Sequence, residues 1–199
     1  MPGECIQFQL IAGLGNPGSD YDSTRHNAGF WFIDELAARL SVNFNTDKRF
    51  FAAVASAQFN GRKLLLVKPM NYMNNSGQGL AAVARFHKVD VGRMLVAHDE
   101  LDIPPGHIRL KKGGGHGGHN GLRDALSRLG TGDFWRLRIG IGHPGNKNAV
   151  SNYVLRRASA EHQRLIEESI ELALAQVDTI IDGDINAATK ELHSHKPDS

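Results

Sequence analysis

The 199-residue chain is 41% hydrophobic and 22% charged, a balance that excludes a wholly disordered polypeptide and leaves room for one domain with a buried core. No apolar run approaches the ~18 residues of a membrane span, and no basic stretch followed by an apolar one opens the chain, so a cytoplasmic protein without a membrane partner is expected. A single cysteine, Cys5, excludes an internal disulfide framework and a multi-cysteine zinc site, while a net charge of +2 conceals an uneven layout.

In chain order, Cys5 to Gly13 reads as an opening strand, with Ile6, Phe8 and Leu10 on one face at period 2. Ala28 to Leu40 is helical by the spacing of Ile33, Leu36, Ala37 and Leu40. Phe50 to Phe59 and Lys63 to Val67 form two strands joined at Asn60-Gly61, the strongest hairpin signal in the chain. Gly77 to His87 follows as a helix. Arg93 to Ala97 and His107 to Lys111 are strands separated by the Pro104-Pro105-Gly106 turn. Gly121 to Leu129 is a helix stopped by Gly130, and Trp135 to Ile141 a buried strand. Ala160 to Ile181 reads as one long amphipathic helix ended by Gly183. This mixture of hairpin and β–helix–β connections predicts a single three-layer α/β domain with a mixed, twisted central sheet flanked by helices. Residues 1–192 are taken as that domain and 193–199 as a flexible polar tail.

Charge divides the chain into three blocks. Residues 1–106 are neutral, residues 107–157 carry +8, and residues 158–199 carry −6. A concentrated basic segment suits a polyanion, nucleic acid being the commonest; the alternative is a solvated surface that happens to be basic.

Residues 13–18, Gly-Leu-Gly-Asn-Pro-Gly, fit G-x-G-x-x-G after a strand. A dinucleotide site needs a helix to open at those glycines, whereas the helical pattern here begins only near Ala28. A tight loop at the carboxyl end of a strand, where α/β sheets place ligands, is the better reading. His26 ends that loop, and its ordinary pKa of about 6.5 suits a general base at neutral pH. Asp99, closing an apolar strand within His98-Asp99-Glu100-Leu101-Asp102, is a candidate orienting carboxylate; the acids there also suit a metal shell or a plain turn. Residues 113–121 hold six glycines in nine residues, a composition that needs close backbone approach. They lack the Walker A pattern, and His116 and His119 lack the spacing of a helical metal pair, so no metal is expected.

Five segments in order, GLGNPGSDYDSTRHNAG, KPMNYMNNSG, AHDELDIPPG, GGGHGGHNGL and RLRIGIGHPG, resemble the bacterial peptidyl-tRNA hydrolase family from Leu10 to about Leu155. The resemblance implies a monomeric enzyme that cleaves the ester between peptide and tRNA, with no cofactor. It implies His26 as general base, Asp99 as its hydrogen-bond partner, and Asn16 as a discriminator of blocked aminoacyl groups. Tyr21, Tyr72, Asn74 and Asn120 would bind the ester end and terminal nucleotide, with Met73 lining the cleft. Lys111 and Arg138 would hold the terminal 5′-phosphate, and Lys147 would add a backbone contact. Asn71 and Lys112 depart from the family's common residues. The chemistry agrees: His26 can activate water, side-chain amides of Asn16, Asn74 or Asn120 can donate to the oxyanion, and no serine or cysteine nucleophile is required. Two other readings remain open, a catalytically silent RNA-binding or splicing accessory protein on the same fold and, more remotely, a nucleotide-dependent oxidoreductase.

Overall fold

The structure, a computed structural model, describes residues 6–197. Seven strands form one mixed sheet: β1 (Leu10–Gly13), β2 (Asn45–Asp47), β3 (Ala52–Phe59), β4 (Arg62–Pro69), β5 (Met94–Glu100), β6 (Ile108–Lys112) and β7 (Trp135–Gly140), in the order β2-β3-β4-β1-β5-β7-β6. The inner strands β4, β1, β5 and β7 run parallel, and the outer ones are antiparallel to their neighbours. The parallel strands are apolar on both faces because helices cover both. On one face α1 (Ala28–Arg39), α5 (Ala160–Ala175), α6 (Val177–Asp182) and α7 (Ile185–Ser194) bury Ile11, Leu66, Leu95, Leu137 and Ile139. On the other, α2 (Ser76–Phe86) and α3 (Asn120–Leu129) bury Leu10, Ala12, Val67, Met94 and Val96. A short helix, α4 (Val150–Val154), packs against the turn that precedes α1.

Two local features fix how the elements meet. At the hairpin, Asn60 and Gly61 have φ of 49° and 75°, the left-handed pair a type I′ turn requires, and this fixes the β3–β4 register. The start of α1 sits directly on β1 and β5: a Cβ on Gly29 would lie 2.5 Å from the carbonyl oxygens of Leu14 and Ala97. That close approach brings the residues just before α1 to the carboxyl ends of the parallel strands.

Several sequence expectations need correction. The opening strand begins at Leu10, and Phe8 packs with the α1-side core while Leu10 faces the opposite side, so the expected shared face of Ile6, Phe8 and Leu10 does not exist. Cys5 lies outside the described residues. The long C-terminal helix breaks at Gln176 into α5 and α6, with Gly183 ending α6 in the left-handed conformation at φ 87°. A further helix follows: Asp184 caps α7 by accepting the Ala187 N–H, and Ile185, Ala188 and Leu192 bury its inner face. His193 and Ser194, assigned to the tail by composition, are therefore helical, and the His193 ring nitrogen accepts the Leu110 N–H at 3.1 Å. The short polar strand β2 carried no apolar signal.

Candidate active site

At the carboxyl ends of β1 and β5 a cleft of about 770 Å³ is lined by Asn16, Tyr21, His26, Tyr72, Met73, Asn74, Asp99, His119 and Asn120, among others. His26 reaches it from a 3-10 turn, Arg25–Asn27, that is buried throughout. His26 Nδ1 lies 2.9 Å from both carboxylate oxygens of Asp99. With Nδ1–H donating to the carboxylate, Nε2 is the ring's acceptor, and the ring's remaining exposure opens on the cleft. Burial alone would lower the His26 pKa; the Asp99 charge and hydrogen bond outweigh it and raise the value above 6.5. Burial pushes Asp99 upward, but the charges of His26 and His119 and their hydrogen bonds hold it well below the ordinary carboxylate range.

His119 is the residue the sequence reading missed in this role. Its Nε2 lies 2.8 Å from Asp99 Oδ1, while its Nδ1 accepts the Leu122 N–H that caps α3. An accepting Nδ1 places a proton on Nε2, from which His119 donates to Asp99. His26, Asp99 and His119 do bring three potential metal ligands within 4.8 Å. A metal on His119 Nε2 would need the ring proton moved to Nδ1, where the Leu122 N–H already points, so the set fits hydrogen bonding better than ligation. His116 lines the same cleft but lies outside this cluster, and its Nδ1 accepts the Gly118 N–H. The signal that could have found His119 was its place directly before the α3 pattern, an N-cap position for an acceptor.

The asparagines divide into fixed and solvent-facing groups. Asn16 is pinned three ways: its N–H donates to Asn27 Oδ1 and its carbonyl accepts from Asn27 Nδ2, both at 2.9 Å, and its Oδ1 accepts the Met73 N–H at 2.7 Å. With Oδ1 engaged, the amide NH₂ of Asn16 is the group left for the cleft. Asn27, 1% exposed, is thus a second residue absent from the sequence assignment. Asn120 is oriented by Arg123 Nη1, which donates to its Oδ1 at 2.9 Å. Asn74 is exposed on the 3-10 turn Met73–Asn75, and Tyr21 and Tyr72 meet edge to face at 5.9 Å on the rim.

The basic residues behave less uniformly than their count implies. Lys147 lines the cleft, whereas Lys111 and Arg138 stand on β6 and β7 outside its lining. Arg138 Nε donates to Glu100 Oε2 at 3.0 Å, leaving its terminal nitrogens for other acceptors. Arg136, 4% exposed, donates to the carbonyls of Gly114 and Gly115 and so fastens the glycine loop to the sheet. In that loop Gly113, Gly114, Gly117 and Gly118 all have positive φ, from 55° to 103°, a path few other residues could follow. Lys112 and Arg128 pair with Asp133 and Asp124. Of the two departures, Asn71 donates to Gln78 on α2 and Lys112 makes that surface pair.

The sequence profile described as peptidyl-tRNA hydrolase matches residues 10–199. The chain belongs to the peptidyl-tRNA hydrolase family. It is 54% identical over 186 residues to a peptidyl-tRNA hydrolase of Azoarcus sp. (strain BH72), covering 94% of this chain and 84% of that one. To that of Neisseria gonorrhoeae (strain NCCP11945) it is 52% identical over 187 residues, covering 94% and 97%. A crystal structure of peptidyl-tRNA hydrolase from Acinetobacter baumannii superposes with a TM-score of 0.94 at 44% identity, over 98% of this chain and all of that one. A crystal structure of a peptidyl-tRNA hydrolase complex with N-propanol matches with the same score, identity and coverage. The single α/β domain seen here is that of these hydrolases. Among the described residues no helix is long and apolar enough to cross a membrane.

Proposed function

We infer that this peptidyl-tRNA hydrolase cleaves the ester joining a peptide to tRNA with water activated by His26. The observation that carries the reading is the His26–Asp99 contact beside the oriented amide of Asn16. His26 Nε2 takes a proton from water as it attacks the ester carbonyl and returns it to the departing ribose oxygen, a role worth about 10²–10⁴-fold. Asp99 fixes the tautomer and stabilises the imidazolium that forms. Tyrosine rims and the Asn16, Asn74 and Asn120 amides bind the acyl end; an N–H donor aimed at a peptide carbonyl meets a free α-ammonium unfavourably, which favours N-blocked substrates. Lys111 and Arg138 grip the tRNA 5′-phosphate and Lys147 the backbone near the acceptor end. The enzyme acts as a cytoplasmic monomer, its one catalytic unit running through the end of α7.

Turnover of N-acetyl-aminoacyl-tRNA against free aminoacyl-tRNA tests the reading. Release of tRNA from the blocked substrate alone is expected; tight binding to both without turnover would instead identify a silent RNA-binding protein.

A further inference from the structure

The turn that holds His26 also holds Arg25, which is 8% exposed and does not line the cleft. Its guanidinium lies 3.9 Å from the centre of the Tyr153 ring. Nη1 donates to the carbonyls of Tyr153 and Arg156 at 3.1 and 3.3 Å, and the Arg25 backbone N–H donates to the Arg156 carbonyl at 3.2 Å. All these partners belong to α4 and the residues after it. That segment forms one wall of the cleft through Val150, Ser151, Val154 and Leu155. Besides its own preceding turn, α4 meets the body at the His26 turn, through Val154 in the α1-side core, and where the Tyr153 hydroxyl donates to the Ile141 carbonyl at 2.6 Å.

We propose that Arg25 is a positioning residue that sets the distance between the α4 wall and the His26 ring. A substrate acyl chain resting on Val150, Val154 and Leu155 is then held with its carbonyl at His26 Nε2. The chemistry of the contact supports this use. A buried guanidinium satisfied by carbonyls, with Nε lacking a hydrogen-bond partner, is a costly way to gain stability but a rigid way to fix two backbones at once. Misplacement by about 1 Å can cost on the order of 10²-fold in rate, so a small outward shift of the wall has a large effect.

The proposal rests on the hydrolase reading, which wild-type turnover tests separately. For Arg25→Met, kcat on N-acetyl-aminoacyl-tRNA is expected to fall about 10- to 100-fold. KM should stay within about twofold and the midpoint of the rising pH limb unchanged, because tRNA contacts and the Asp99 partnership are intact. Amide exchange should quicken at residues 150–156 but not in β5 or β7. Arg25→Lys, keeping the charge and one donor point, should recover part of kcat. Tyr153→Leu, which removes the ring from the wall side, should lower kcat likewise, and the double variant should be no worse than the poorer single one. Wild-type kcat in Arg25→Met, additive losses in the double variant, or lost protection throughout the chain would each overturn the proposal.

Discussion

Asp99 accepts N–H groups from two imidazoles, and their consequences differ. His26 turns its free nitrogen to the cleft, whereas the second nitrogen of His119 is spent on capping α3. Replacing His26 with alanine should therefore cut kcat by about 10²–10⁴-fold with the fold retained, measured by turnover and circular dichroism. Asp99→Asn should lower kcat less. The catalytic form of His26 is neutral, and Asp99 raises its pKa against the effect of burial; without the carboxylate, burial prevails and the pKa falls. The rising limb of a kcat–pH series should then move to lower pH, and an unmoved limb would show that the pair does not interact. Asn16→Asp is nearly isosteric and still accepts the Met73 N–H, but it sets an anion where a donor stood. Its kcat should fall about 10²–10³-fold with little change in Tm, the cost of losing a donor to an oxyanion.

At the level of elements, the antiparallel pair β6–β7 sets Arg138 opposite Arg109 and Lys111 opposite Arg136. Arg136 is consumed internally, so Lys111 and Arg138 are the pair assigned to phosphate. Alanine at either should raise KM for full-length peptidyl-tRNA and lower the salt slope by about 1, while a minimal substrate lacking the 5′-phosphate stays unaffected. Equal losses on both substrates would make these residues structural. Helix α7 offers a stability counterpart: Leu192, fully buried, should cost about 2–5 kcal/mol on truncation to alanine by urea unfolding, with kcat unchanged in the folded enzyme. The elements most legible in the sequence were those with strong local chemistry, such as the Asn60-Gly61 hairpin and the Gly130 stop of α3. The Gln176 break was hidden because the apolar stripe continues through it, with no proline or glycine to mark it. His26 and Asp99 were legible by residue type. Their contact spans 73 positions of sequence and depends on α1 seating its glycine on β5, which no local pattern encodes. The parts played by His119 and Asn27 are likewise hydrogen-bond facts, visible only once the loops are folded together.

For the molecule as a whole, a cost of this polar cluster appears in acid. His98 is buried beside His119, donates Nδ1–H to the Asp99 carbonyl, and leaves Nε2 without a hydrogen-bond partner. Burial first, then the His119 charge, lowers its pKa from 6.5 to about 3. An unfolded His98 takes up a proton below pH 6.5 and the folded one does not, so stability falls as pH drops from there toward 3. By pH 3 this single site should cost about 4 kcal/mol. Urea unfolding of wild type and His98→Asn between pH 7 and 4 should show a shallower loss in the variant; parallel curves would acquit His98.

The contact between His193 and Leu110 reaches beyond the packing of α7. β6 is a border strand, and its outward Leu110 N–H would otherwise be an open place for a foreign strand to join. The opposite border, β2, is three residues long and polar, a poor template for the same reason. Burial, then the neighbouring charges of Arg109 and Arg138, hold the His193 pKa below 6.5 and so keep its nitrogen able to accept. Those cations also help keep the latch shut against strand addition, and acid strong enough to protonate His193 would open it.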